Sequence, residues 1–210
     1  MLKLWIVGAS GQIGSAINEV LDPLEMEVFN TDKEELDITD TDEVLNFGVI
    51  NRPDVIINCA AVTDTDFCEK EPELAYRVNA LGARNLSIVA RKTGAKMVQI
   101  STDDVFDGIR HTPYTEFDDT NPKTVYGRSK RAGENYVKEF TYEWVKMLNG
   151  DVLNISKINR ADVRRRFWRV LQMSLKIFND IIALLANALR FYALKYFVGI
   201  FVQKEESRWK

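Results

Sequence analysis

Tyr126 and Lys130 stand four residues apart in the stretch VYGRSKRAGE. On a helix that spacing puts both side chains on one face. An ammonium near a phenol favours the phenolate, so the pair makes tyrosine a better proton donor or acceptor near neutral pH. Such pairs arise often by chance. What gives this one weight is its setting, after a short apolar run, Met97 to Ile100, that ends in Ser101-Thr102. The chain also opens with LKLWIVGASGQIG, in which Gly8, Gly11 and Gly14 are spaced G-x-x-G-x-x-G. The first glycine permits a tight turn, the second a close approach of backbone N–H groups to a pyrophosphate. The third lets a helix pack close to the preceding strand, with its N-terminus facing the phosphate charge. Any tight strand-to-helix turn could use these glycines. They point to a dinucleotide only with a strand before them and a helix after.

The surrounding residues predict both. Leu4, Trp5, Ile6 and Val7 form an apolar run typical of a central parallel strand, and Ile13, Ile17, Val20 and Leu21 recur at helical spacing. A second strand over Glu27 to Asn30 ends near Asp32, 18 residues past Gly14. A carboxylate there can accept from ribose hydroxyls and repels a 2′-phosphate, although Asp32 also reads as part of an ordinary solvated turn. A helix capped at Thr39 or Thr41 is expected next, with Asp42 and Glu43 in its first turn. A strand follows from Val55 and ends in Cys59, Ala60 and Ala61, small residues that leave room for a ligand. Pro72 opens one helix or a helix pair reaching Arg91, and Asn121-Pro122 begins the helix holding Tyr126 and Lys130. Alternating strands and helices predict a parallel, doubly wound α/β sheet of the Rossmann type.

Composition narrows the partners. A net charge of −3 over 210 residues gives no sign of a nucleic-acid partner, and no uncharged apolar run reaches the ~20 residues of a membrane span. Met1 to Val7 is too short for a signal peptide, and Cys59 and Cys68 suit reduced thiols, so the cytoplasm is the expected location. Two cysteines without a histidine cluster give no metal site; His111, the single histidine, takes no role. A homo-oligomer is left open.

Taken together, GASGQIG (8–14), LDITD (36–40), INCAAVTDTDFCEKEPELAYRVNALGARNL (57–86), QISTDDVFDG (99–108), PYTEFDDTNP (113–122) and VYGRSKRAGE (125–134) resemble an extended short-chain dehydrogenase/reductase. Within that group the chain is similar to the dTDP-4-dehydrorhamnose reductase family. The resemblance implies an NADPH- or NADH-dependent reductase of a nucleotide-linked 4-keto sugar, acting in dTDP-rhamnose biosynthesis. It implies a cofactor loop of Gly8, Ser10, Gly11, Gln12, Ile13 and Gly14, with Asp32 at the ribose and Asp37 and Ile38 by the adenine. Ala60 and Ala61 would lie alongside the cofactor. Thr102 would polarise the ketone and Tyr126 protonate the forming alkoxide. Lys130 would hold the nicotinamide ribose and lower the tyrosine pKa. Thr102, Asp104 and Val105 are the substrate-side candidates. Asp104 departs from the family, which has tyrosine there; a carboxylate beside an anionic sugar nucleotide would weaken binding. A nucleotide-binding module without turnover is the alternative.

The resemblance ends at Phe140. Residues 1–140 carry net charge −10 and 141–210 carry +7, all five prolines lie at or before Pro122, and only Gly150 and Gly199 lie after 140. The expected organisation is therefore an NAD(P)-binding domain over 1–140 and a basic, amphipathic helical tail over 141–210. No further strand is expected after Phe140, which leaves the sheet short of its last strands. Polar residues recur near helical spacing from Ala161 to Val202, with Arg160, Arg164, Arg165, Arg166 and Arg169 at the start. The tail could cap the sheet in place of missing elements, lie on a membrane surface or partner, or be an out-of-frame continuation that leaves a truncated, inactive product.

Overall fold

A computed structural model describes residues 1–148, apart from positions 20, 22, 23, 25, 111–113, 116 and 117. The tail over 149–210, Val20 and His111 lie outside the described residues. Five strands form one sheet: β1 (Leu2–Val7), β2 (Met26–Thr31), β3 (Val55–Asn58), β4 (Lys96–Ser101) and β5 (Trp144–Leu148). Their order is β2-β1-β3-β4-β5, and every neighbouring pair is parallel. All five belong to one compact unit, made of Met1–Gly14 and Asp22–Asn149.

The expected doubly wound sheet is present. The apolar run at the start of the chain forms an interior strand: Leu4, Trp5 and Ile6 are fully buried, as strands covered on both faces must be. Trp5 keeps its indole N–H satisfied by donating to Thr31 Oγ1 at 2.9 Å, which ties β1 to β2. From β1 the chain builds β2 on one side and β3 on the other. The strand order reverses there, and ligands of open α/β sheets bind at the carboxyl ends of strands at such a point.

The helices are α1 (Gln12–Asn18), α2 (Thr41–Asn51), α3 (Thr65–Lys70), α4 (Pro72–Tyr76), α5 (Ala83–Thr93) and α6 (Val125–Phe140). Two boundaries differ from expectation, each for a local reason, while the Pro72 segment forms the expected helix pair. The cap of α2 is Asp40, whose carboxylate accepts the N–H groups of Asp42 and Glu43 at 2.9 and 3.0 Å, two of the donors a helix start leaves unpaired. Thr39 instead gives its N–H to Asp37. Helix α6 starts at Val125, with Thr124 Oγ1 accepting from Gly127 N–H. Proline disfavours helical backbone at the residue before it, so Asn121 cannot begin the helix; its N–H and amide go to Val105 and Asp107. The Pro72 segment is two α-helices joined by a π-helical turn over Arg77–Gly82.

The sheet does not stop at Phe140. Strand β5 pairs in parallel with β4, Met97 facing Trp144 and Ser101 facing Leu148. In WVKML four of the five residues are apolar and Lys146 interrupts the alternation, a weak strand signal beside the abrupt change of charge. Beneath the sheet Trp5, Val44, Ile56, Leu86, Val89 and Met97 share one hydrophobic core.

Candidate active site

Immediately after β1 the backbone at Gly8 has φ +75°, and a Cβ there would lie 2.7 Å from the Ala60 nitrogen. Only glycine fits both the dihedral and the space. Gly8 and Ala9 N–H both donate to Thr31 O, so the turn is held to the end of β2. At Gly14 a Cβ would come within 2.3 Å of Gly8 O and 2.7 Å of Ala9 Cα, so close packing requires glycine there too, as expected. Gly11 is less constrained; its nearest contact would be Gly8 O at 3.3 Å. Ser10, Gly11 and Gln12 are exposed and Ile13 is half-buried.

Around the loop, the carboxylate of Asp32 accepts the Ser10 N–H on both oxygens, at 3.1 and 3.0 Å. Its expected ribose contact would therefore come from lone pairs this bond leaves. Asp37 is half-buried, and the hydrogen bond from Thr39 N–H holds its carboxyl below the usual range. Ile38 is a core residue, with its side chain against Gly82 and its carbonyl accepting from Asn85. Ala60 and Ala61, both half-buried, follow β3, and the backbone of Cys59 and Ala60 lies against Gly8.

Beyond the carboxyl end of β4 the expected catalytic side chains converge. Tyr126, Lys130 and Thr102 are all buried, 7, 3 and 4 % exposed. Tyr126 and Thr102 are hydrogen-bonded through their side chains. Asp104 N–H donates to Thr102 Oγ1 at 3.2 Å. Lys130 Nζ donates to Ile100 O at 2.6 Å. Burial pulls its pKa down to about 8, opposed by the nearby Glu134 carboxylate and Cys59. The half-buried Cys59, at the end of β3, has its thiol pushed up to about 12 by burial, so it stays protonated.

One expectation is reversed. The Tyr126 pKa is raised rather than lowered: burial raises it most, the Thr102 bond opposes the rise and the carboxylate of Asp104 adds to it. The lysine is turned to a backbone carbonyl, and desolvation of the phenolate dominates. Of the substrate-side candidates, Val105 is fully buried and its side chain belongs to the interior. Asp104 is half-buried, and burial followed by Asp103 raises its pKa.

Three supporting residues were not singled out from sequence. Asn79, in the π turn, is buried; its amide donates to Val62 O and Ser129 Oγ and accepts Val62 N–H. Glu134 and Ser101 are bonded to each other at 2.5 Å. Glu134 was within reach of a periodicity argument, since Tyr126, Lys130 and Glu134 repeat every four residues along α6.

A sequence profile of the RmlD substrate binding domain matches residues 2–156. A dTDP-4-dehydrorhamnose reductase of Streptomyces griseus is 45% identical over 136 residues, covering 64% of this chain and 45% of that protein. A crystal structure of a dTDP-4-dehydrorhamnose reductase from Clostridium acetobutylicum is similar with TM-score 0.69 and 45% identity, over 70% of this chain and 52% of that one. A dTDP-4-dehydrorhamnose reductase from Bacillus anthracis, solved in complex with NADP, has TM-score 0.69 and 44% identity over 70% and 53%. The chain spans about half the length of the curated relatives it matches.

Proposed function

Because the chain belongs to the RmlD substrate binding domain family, we propose that it is an NAD(P)H-dependent reductase of a nucleotide-linked 4-keto sugar, of the dTDP-4-dehydrorhamnose type. One observation carries this reading: the glycine loop and the reactive side chains adjoin through two successive residues. Ala60 is against Gly8, and Cys59 is near enough to Lys130 for their charges to interact. A dinucleotide laid along the loop would bring its far end to Thr102, Tyr126 and Lys130. The residues fit such a cofactor, since the loop's form depends on glycine at 8 and 14 and its outer residues face solvent. The roles of Ser10, Gln12, Ile13, Asp37, Ala60 and Ala61 along it, and a domain boundary placed after β5, which belongs to this body, rather than at Phe140, are part of the proposal.

A bound reduced nicotinamide supplies hydride to the sugar ketone. The protein's own residues do the rest. A raised pKa keeps Tyr126 protonated at neutral pH, so the phenol is ready to donate as negative charge grows on the ketone oxygen. Thr102, bonded to Tyr126, gives that oxygen a second polar neighbour. Lys130 spends one N–H on Ile100 O and has two donors left for a ribose. With a pKa near 8 it is mostly cationic at pH 7. Asp32 favours a free 2′-hydroxyl, whereas the Bacillus anthracis relative holds NADP, so both cofactors belong in the test.

The test follows NADPH and NADH oxidation with dTDP-4-dehydrorhamnose by the wild type and Tyr126→Phe. The wild type should turn over. The variant should lose about 10²–10⁴-fold in kcat, the usual contribution of a general acid, while still binding nucleotide. Full activity in the variant removes Tyr126 from the mechanism, and nucleotide binding without turnover in the wild type refutes the reductase.

A further inference from the structure

Glu134 lies on α6 one turn beyond Lys130 and is 1 % exposed. Its carboxylate accepts the Ser101 hydroxyl at 2.5 Å and Arg131 Nη1 at 2.7 Å, and lies 3.4 Å from Lys146 Nζ. These partners come from three elements: Ser101 ends β4 beside Thr102, Arg131 is on α6 itself, and Lys146 is in β5, paired with Gln99. Lys130 Nζ meanwhile grips Ile100 O. The end of β4 is thus held to α6 at two successive residues by side chains one helical turn apart. A carboxylate 1 % exposed and ringed by three hydrogen-bonding donors is costly to disturb, because removing it leaves the buried Ser101 hydroxyl without its acceptor and the partly exposed Arg131 and Lys146 without their counter-charge.

We propose that Glu134 is a positioning residue: it locks the end of β4 and strand β5 onto α6, and so fixes where Lys130 holds its charge. This rests on the reductase reading only for what Lys130 does with a nucleotide. Acting on the Lys130 charge are Glu134 from its own helix and Cys59 after β3; the Ile100 carbonyl from β4 accepts from it, and Tyr126 lies one turn back on α6. Glu134 is the anion among them, since the Cys59 thiol stays protonated up to about 12. Lys146 and Arg131 compete with Lys130 for its field.

The test uses the full chain labelled with [ε-¹³C]lysine, the Lys130 resonance being the one missing from Lys130→Met. Its titration midpoint is expected near 8 in the wild type. Glu134→Gln keeps the shape and an acceptor for Ser101 but removes the charge, and should lower the midpoint by about one pH unit. Lys146→Met removes a competing cation and should raise it. NADPH affinity, titrated by fluorescence between pH 6 and 9, should weaken at correspondingly lower pH in Glu134→Gln and recover at pH 6. A midpoint unchanged in both variants overturns the proposal, as does an affinity loss in Glu134→Gln that is the same at every pH. If Glu134→Gln does not fold, the Lys146→Met midpoint decides. A wild type that binds neither NADPH nor NADH refutes the reductase reading, and the Lys130 midpoints still decide the role of Glu134.

Discussion

Lys130 is a cation in a place where water does not reach it, and stability should record that. Its folded pKa is about 8 against an ordinary 10.5. Between those values the unfolded chain binds the extra proton and the folded chain does not, so this group makes stability rise with pH from about 8 to 10.5. Below pH 8 both states hold the proton and the cost of burying the charge is fully present. Lys130→Met removes the group. Its stability relative to wild type should therefore be more favourable at pH 7 than at pH 10, by about 2 kcal/mol. Urea unfolding at the two pH values measures this; the same gap at both would show that Lys130 does not lose its proton in the folded protein. Tyr126 is governed by the same desolvation with the opposite consequence, because its neutral form is the one that carries the proton to be donated.

At the scale of elements, α6 brings the site together, and it does so through glycine. A Cβ at Gly133 would lie 2.3 Å from Asn79 O, and one at Gly127 would lie 2.3 Å from Asp104 O. Both are backbone contacts, so neither neighbour can rotate away. The first lets α6 approach the π turn, where Asn79 bridges Val62 and Ser129; the second seats the helix start on the turn after Thr102. Gly133→Ala should push α6 off the π turn and destabilise the fold by about 1–3 kcal/mol, despite alanine's better helix propensity. A urea midpoint equal to or above wild type would show that the packing yields. The π turn itself, an extra residue's worth of backbone in a helical run, is a feature often found at functional sites, and here it aims Asn79 inward.

At the scale of the whole described body, one core stands behind the site. Leu86 is fully buried in the cluster that includes Trp5, Ile56 and Met97, so it supports β1, β3 and β4 together. Leu86→Ala should cost about 2–5 kcal/mol, read as a lower urea midpoint in one transition shared by tryptophan fluorescence and circular dichroism. Two separated transitions would mean that these strands do not unfold as a unit. Among the described residues no helix is long and apolar enough to cross a membrane. The body also includes β5, so the sheet extends past the point where charge and glycine content change.

The sequence by itself determined the parallel sheet, the glycine turn and the placing of Tyr126 and Lys130 one turn apart on a helix, while Thr102 was singled out through the family resemblance. Each of the first three is written locally: apolar runs of strand length, glycines between strand and helix, and an i, i+4 repeat need no knowledge of distant residues. Asp40 as a cap and Val125 as a helix start were local too, but rivals one to four residues away carried similar signals. What only the tertiary structure decided is the electrostatics. Whether Lys130 lowers the Tyr126 pKa depends on which acceptor its ammonium reaches and how much water remains, and Ile100 O, 30 residues away in sequence, takes it. The same holds for Val105 and Ile38, whose apolar side chains could have lined a pocket and instead fill the interior. Strand β5 is the clearest case: five residues of modest strand character become a strand because β4 offers an open edge to pair with, an energy that no window of sequence contains.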